Sequence, residues 1–247
     1  MRFSFLGTSH GVPAADRFTS CYLLEVKGNL YVFDAGAPVV NLLLQRGADM
    51  RDVKGFFCSH FHGDHIDGGI NMLNLFDWYY KETDMDAFLP DKVAESVIRL
   101  YGRECDDAYF ADGRIRFHVI QPGVIFDDGI IRVTAIPVAH ITAPGKASFA
   151  FAIEAEGKAI LYTGDLSHDP HTKDFPEIAF RQHFELILSE CAHFSVEKLA
   201  VCMDRVDADY FAVSHIFPMT KIAELEALRE KYPFQLLIPD DGDELEI

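Results

Sequence analysis

The sequence predicts an α/β protein built as one domain of two sheets with helices outside, and three observations lead there. Short runs rich in aliphatic, β-branched and aromatic residues recur along the chain, separated by Gly, Pro and Asp. They gather in two strand-rich halves, each followed by segments of helical length with an apolar face. Neither a fixed-period repeat nor a linker-like stretch divides residues 1–247, so the whole length reads as a single domain.

In order, Arg2–Leu6, Cys21–Val26 and Leu30–Phe33 are predicted strands, the last two joined by the Lys27-Gly28-Asn29 turn. Val39–Arg46 is a predicted helix closed by Gly47. Lys54–Cys58 reads as a buried strand, and Gly69–Tyr80 and Asp91–Arg103 as helices. Strands return at Arg116–Ile120, Ile130–Pro137, Ser148–Glu154 and Lys158–Thr163, with Glu156-Gly157 as a hairpin turn. Thereafter strands at Leu186–Ser189, Tyr210–Ser214 and Gln235–Ile238 alternate with helices at Ser195–Met203 and Thr220–Lys231.

At 49% hydrophobic and 13% aromatic, the composition can fill a sizeable core. The formal net charge is −17 and Lys and Arg form no dense cluster, whereas polyanion binding depends on such clusters. This balance argues against a long nucleic-acid partner. A small phosphate ester stays open, because metal ions can meet its charge. No hydrophobic run reaches the roughly 18 residues that cross a bilayer. Met1–Gly7 runs straight into an apolar strand without a cleavage-type signal. A cytoplasmic protein with no membrane contact is the expectation, and a homodimer is compatible with it. The cysteines (Cys21, Cys58, Cys105, Cys191, Cys202) are scattered and odd in number, which fits free thiols in a reducing compartment better than a disulfide framework.

The densest chemistry lies in Ser59-His60-Phe61-His62-Gly63-Asp64-His65. If the preceding strand continues through His62, His60 and His62 project to one face, because extended chain has a period of two. Gly63 then permits a change of direction, and Asp64 and His65 turn back as a helix begins. Imidazole and carboxylate together suit zinc, manganese or iron; an all-oxygen magnesium or calcium site has no need of three histidines. A lone histidine is more often a loop or core residue. Here Phe57, Cys58 and Phe61 make the surroundings apolar, and burying four unpartnered polar groups is costly.

His-x-His-x-Asp-His after a strand resembles the metallo-β-lactamase superfamily, and further landmarks follow in order. Asp34 in Val32-Phe33-Asp34-Ala35-Gly36, His140 in Pro137-Val138-Ala139-His140, Asp165 in Tyr162-Thr163-Gly164-Asp165 and His215 in Val213-Ser214-His215 resemble its other motifs. The resemblance implies a four-layer αββα sandwich, with two mixed sheets flanked by helices and metals at one edge between the sheets. It also implies two divalent ions, zinc first, with manganese or iron compatible. His60, His62 and His140 are expected to bind one ion, Asp64, His65 and His215 the other, and Asp165 to bridge both. Asp34 is expected to orient metal-bound histidines. Such a two-metal centre can hold a hydroxide at neutral pH and stabilise a substrate oxygen. No Gly-x-Ser-x-Gly elbow supports a serine hydrolase.

Leu6-Gly7-Thr8-Ser9-His10-Gly11-Val12-Pro13, with Arg17 and Ser20, resembles the start of the ribonuclease Z and cyclic-phosphodiesterase branch. Glu190-Cys191-Ala192-His193 is similar to that branch's Glu-containing segment. There a Glu pairs with a separate His that helps protonate the leaving group. No second His lies between His193 and His215, so the resemblance implies that His193 is expected to take that part here, oriented by Glu190. Asp64, His193, Glu190 and Asp34 are thus the candidate catalytic residues. His10, His168 and Asp169 are further polar candidates near the site. Trp78 to Phe126 shows no Gly/Pro-rich basic insertion like the tRNA-gripping arm of ribonuclease Z. The expected activity is hydrolysis of a small phosphodiester, cyclic or nucleotide-like. Thioester or lactone hydrolysis, tRNA 3′-end processing and a non-catalytic metal-binding domain are the alternatives.

Overall fold

Alternation along the opening strands sorts their side chains onto two faces. In a computed structural model, β1 (Arg2–Gly7) sends Phe3 and Phe5 into one core and Leu6 into another. β2 (Cys21–Val26) divides Tyr22, Leu24 and Val26 from Cys21 and Leu23, and β3 (Asn29–Ala35) divides Tyr31 and Phe33 from Leu30 and Val32. The structure describes residues 1–12, 14–105, 108–169 and 174–247, and of Cys105 only the backbone. Pro13 of the opening loop and the Cys105 thiol therefore lie outside the described residues.

Two seven-stranded sheets result among the described residues. The first adds β4 (Val53–Phe57), β5 (Met85–Leu89), β6 (Ile115–Val119) and β14 (Glu244–Glu246), in the order β14-β1-β2-β3-β4-β5-β6. The second holds β7 (Gly123–Asp127), β8 (Ile131–Val138), β9 (Ser148–Ala155), β10 (Lys158–Tyr162), β11 (His183–Cys191), β12 (Asp207–Ile216) and β13 (Gln235–Leu237), in the order β13-β12-β11-β10-β9-β8-β7. Both are mixed. β3 to β6 run parallel, as do β10 to β13, and the other pairings are antiparallel. α1 (Val39–Gln45), α2 (Gly63–Trp78) and α3 (Lys92–Cys105) lie with the first sheet; α4 (Val196–Met203) and α5 (Lys221–Glu226) cover the second. This is the expected αββα sandwich. Between the sheets Phe57 stacks on Phe33 (4.8 Å) and Phe88 (4.9 Å), contacts contributing about 0.5–1.5 kcal/mol each beyond burial.

Some boundaries differ from the sequence prediction. β4 ends at Phe57 rather than running through His62, yet His62 keeps extended backbone (φ −84°, ψ 148°). α2 begins at Gly63, six residues before the predicted Gly69. Its glycines lower helix propensity, but they permit close packing. A Cβ on Gly68 would lie 1.7 Å from the Ala37 carbonyl oxygen, and one on Gly36 would lie 1.8 Å from the Asp64 carbonyl oxygen. The predicted Thr220–Lys231 helix shortens to α5, beyond which Leu228, Arg229 and Lys231 make i to i−3 turn bonds. β5, β7 and β14 were not anticipated. β7 and β14 are sheet edges, and Glu246 of β14 pairs with Arg2 at 2.7 Å, the charged pattern of an edge strand.

Gly36→Ala and Gly68→Ala are expected to destabilise the fold by about 1–3 kcal/mol or more through overpacking. Denaturant midpoints measure this, and unchanged midpoints would refute the close-packing role.

Candidate metal centre

Parallel strands carry their C-terminal ends to one edge, where loops can converge. Asp34 stands near the end of β3, and His60 and His62 lie in the segment after β4. Asp64 and His65 form the first turn of α2, His140 comes two residues after β8, and Asp165 three after β10. His215 lies in β12, one residue further along the strand than predicted. Asp34 (φ 50°) and His215 (φ 51°) adopt the left-handed region, where a residue with a Cβ is uncommon and functional sites are over-represented.

The seven side chains predicted as ligands come together in two groups. His60, His62, His140 and Asp165 have donor atoms within 4.8 Å of one another, as do Asp64, His65 and His215, and either group could hold a metal ion. In the first, His60 Nε2 lies 3.0 Å from His62 Nδ1, and His140 Nε2 lies 3.3 Å from the same atom. Asp165 faces both groups. Its Oδ2 is 3.7 Å from the Nε2 atoms of His60 and His140 and 3.4 Å from that of His215, while Oδ1 is 3.5 Å from His65 Nε2. Asp64 Oδ2 lies 3.5 Å from His65 Nε2 and 3.8 Å from His215 Nε2.

The donor set fits divalent ions. His65 Nε2 is buried and has no hydrogen-bond partner, a cost that a cation removes. Nitrogens bound to one tetrahedral zinc at about 2.0–2.1 Å must sit close together, as these imidazoles do.

The ring atoms that face away from this centre are engaged. Asp34 Oδ2 meets His65 Nδ1 at 2.7 Å, and Ser20 Oγ meets His215 Nδ1 at 2.9 Å. Ser59 Oγ lies 3.0 Å from His60 Nδ1, and the Leu166 carbonyl 3.3 Å from His140 Nδ1. Each contact leaves Nε2 for the centre and fixes ring orientation. Asp34 also accepts from Ser59 N–H, Ser59 Oγ and Tyr162 OH, each at 2.6 Å.

Electrostatics follow from burial and neighbouring charge. Burial pushes His60 well below the usual imidazole range, and lowers His62 and His140, favouring the neutral form that ligates metals. Burial opposes charge on His65 too, but Asp165 and Asp34 raise it well above the ordinary value. The same carboxylates favour any cation there. Burial alone would raise the Asp64 carboxyl, but His65 and His215 hold it at about 2; His215 and His65 likewise keep Asp165 well below the carboxylate range.

Glu190 and His193 are placed together as predicted. His193 Nδ1 lies 2.8 Å from Glu190 Oε1 and 3.9 Å from Asp165 Oδ2, so the ring borders the centre. Glu190 is buried within β11 and accepts the N–H groups of Leu166 (2.7 Å), Ala192 (2.8 Å) and His193 (3.1 Å). Burial disfavours a proton on His193, Glu190 favours it, and the net effect raises the ring's pKa. His10 lies 5.0 Å from the His215 ring, whereas His168 Nδ1 meets the His193 carbonyl at 2.7 Å. Lys198 Nζ lies 3.8 Å from Asp169. Arg17 is tied to Thr8, the Pro239 carbonyl and Asp240, an internal tether.

Several supporting residues were not assigned roles from sequence. Ser59 and Tyr162 sit beside predicted ligands in the chain, a usable signal. Asp174 accepts the N–H groups of Ala139 and Ser167, joining the loops of His140 and Asp165. No sequence signal marks it.

The two mixed sheets and this edge centre define a metallo-β-lactamase-fold protein with a candidate binuclear metal site. The chain is similar over 99% of its length to the metallo-β-lactamase fold protein YhfI from Bacillus subtilis (TM-score 0.77, 20% identity, 99% of that chain). It is also similar over 100% of its length to human tRNase Z, short form (TM-score 0.73, 17% identity, 99% of that chain). A model described as anti-Pycsar protein Apyc1 matches residues 1–205, and the chain belongs to that family. Ribonuclease Z of Picosynechococcus sp. is 31% identical over 150 residues, 59% of this chain and 46% of that protein. The chain spans about half the length of the curated relatives it matches.

Asp34→Ala is expected to weaken metal binding by about 10–100-fold. Competition against a chelator of known affinity reads this, and wild-type affinity in the variant would remove Asp34 as the residue that orients His65.

Proposed function

We propose that this chain is a metal-dependent hydrolase that opens a small phosphodiester, cyclic or nucleotide-like, at a two-ion centre. The observation that carries the reading is the pair of ligand groups facing one carboxylate. His60, His62 and His140 lie on one side of Asp165, with Asp64, His65 and His215 on the other. Zinc suits the imidazole-rich donors, and manganese or iron is compatible. Two bound ions supply Lewis acidity toward an ester oxygen and activate water near neutral pH.

The chain's own residues supply orientation and a proton. Asp34, Ser59 and Ser20 hold the ligand rings in one tautomer. Glu190 engages His193 Nδ1, which leaves Nε2 as the ring atom able to hold a proton and release it to a leaving oxygen. Relatives named ribonuclease Z support a phosphodiester over a thioester or lactone. The same name favours an RNA end as the second reading, but a net charge of −17 opposes a long polyanion. No helix among the described residues is long and apolar enough to cross a membrane. Cys21, Cys58, Cys191 and Cys202 are free and buried, which supports a reducing, cytoplasmic setting.

Assays of bis-aryl phosphate, thioester, lactone and tRNA-precursor substrates, with and without chelator, test the proposal. Turnover of the phosphodiester is expected, with loss on chelation and in His62→Ala. Turnover confined to another substrate class, or indifferent to chelator, overturns it. His193→Ala is expected to slow esters of poor leaving groups by about a hundredfold or more while sparing good ones. Equal slowing of both would remove His193 as the acid.

A further inference from the structure

The turn that carries His193 is held from both sides of its peptide groups. It runs from Cys191, the last residue of β11, to Ser195, whose hydroxyl caps α4 by accepting the Lys198 N–H. On one side the N–H groups of Ala192 and His193 donate to Glu190 Oε2 at 2.8 and 3.1 Å. On the other side Lys221 Nζ donates to the carbonyls of Cys191 (2.8 Å), Ala192 (3.2 Å) and Phe194 (2.7 Å). The carbonyl between them, that of His193, meets His168 Nδ1 at 2.7 Å. All three ammonium protons are thus spent on one turn of chain, and hydrogen bonds from an ionised donor are the strong kind. Among the described residues this half-buried ammonium forms no ion pair. Glu190 is therefore left to His193, whose Nδ1 it meets at 2.8 Å.

Resting on the phosphodiesterase reading above, we propose that Lys221 is the positioning residue for the proton donor His193. The ladder between β11 and β12 shifts register between Glu190 and Cys191, where it ends. Beyond that point side chains, rather than sheet pairing, set where the imidazole stands. Lys221 opens α5 shortly after His215, and its own N–H donates to the Pro218 carbonyl at 3.0 Å. Its side chain therefore fixes the His193 turn to the segment that leaves a candidate metal ligand. A proton donor must stay within hydrogen-bond reach of the leaving oxygen, and a displacement of about 1 Å costs on the order of a hundredfold in rate. Glu190 orients the ring through Nδ1 but leaves the carbonyl side of the turn free. Lys221 removes that freedom, so the turn is gripped by an anion on its N–H side and a cation on its carbonyl side.

Lys221→Met keeps the unbranched stem and loses all three donors. It is expected to slow esters of poor leaving groups by about tenfold to a hundredfold, to spare good ones and to leave metal content unchanged. In a His193→Ala background the same substitution is expected to add nothing, because no donor is left to position. Hydrogen exchange gives a reading apart from activity: the Ala192 and His193 N–H groups are expected to lose protection in Lys221→Met. Lys221→Gln, with neutral donors only, takes its place should Lys221→Met not fold. Equal slowing of good and poor leaving groups overturns the role of Lys221. So does a loss that multiplies with that of His193→Ala, or unchanged protection of the two N–H groups. A wild type that turns over no phosphodiester overturns the hydrolase reading and the role of Lys221 together, and the inactivity of wild type itself tells this result from the others.

Discussion

The Asp34 carboxylate is the contact on which the site depends. It is wholly buried, and left unpaired there its charge would be prohibitively costly. Four donors surround it: Ser59 N–H and Oγ, His65 Nδ1 and the Tyr162 hydroxyl. The first three belong to the first sheet and its following loop and helix, while Tyr162 ends β10 of the second sheet. One side chain therefore orients a ligand ring and ties together the two layers, each of which supplies ligands to both halves of the centre. Its backbone, at φ 50°, sits in a region an aspartate tolerates better than most residues, and the hydrogen bonds hold it there.

Around that contact the fold behaves as a frame. Parallel strands deliver ligands to one edge, and the aromatic core between the sheets holds the edges in register. Gly36 and Gly68 let α2 settle against the loop after β3 more closely than any side chain allows. Because α2 opens with Asp64 and His65, its seating positions one group of ligands. Asp174 does the equivalent work for the other group by joining the His140 and Asp165 loops. Positive charge is favoured at the centre by Asp64 and Asp165, while burial keeps His60, His62 and His140 neutral, the state in which imidazole ligates.

Much of the architecture was legible because strand and helix periodicities are local. The two sheets, the outer helices and most strand positions follow from alternation and turn residues. Failures fell where local signals conflict with tertiary contacts. α2 starts through three glycines that argue against a helix, and tertiary contacts account for two of them: Gly68 lies against the Ala37 carbonyl and Gly69 against the Phe56 ring. The edge strand β14, Glu244-Leu245-Glu246, turns a single leucine to the core, and three residues are too few for alternation to be read as a strand.

For the site, the amino-acid order was sufficient for His60, His62, Asp64 and His65, since residues so near in the chain share a point in almost any turn that follows a strand. His140, Asp165 and His215 were recognisable by their order and strand-end positions, as were Glu190 and His193. Their convergence on Asp165 came only from the sandwich, which brings segments distant in the chain within 4 Å. Asp34 was legible as an orienting carboxylate and Ser59 adjoins the ring it meets, but the long-range partners were decided by tertiary structure alone. Tyr162 reaches Asp34 across 128 residues of chain, and Ser20 reaches His215 across 195. A hydroxyl carries no local sign of the ring it will meet, because its partner is chosen by sheet register and layer packing rather than by neighbours in the chain.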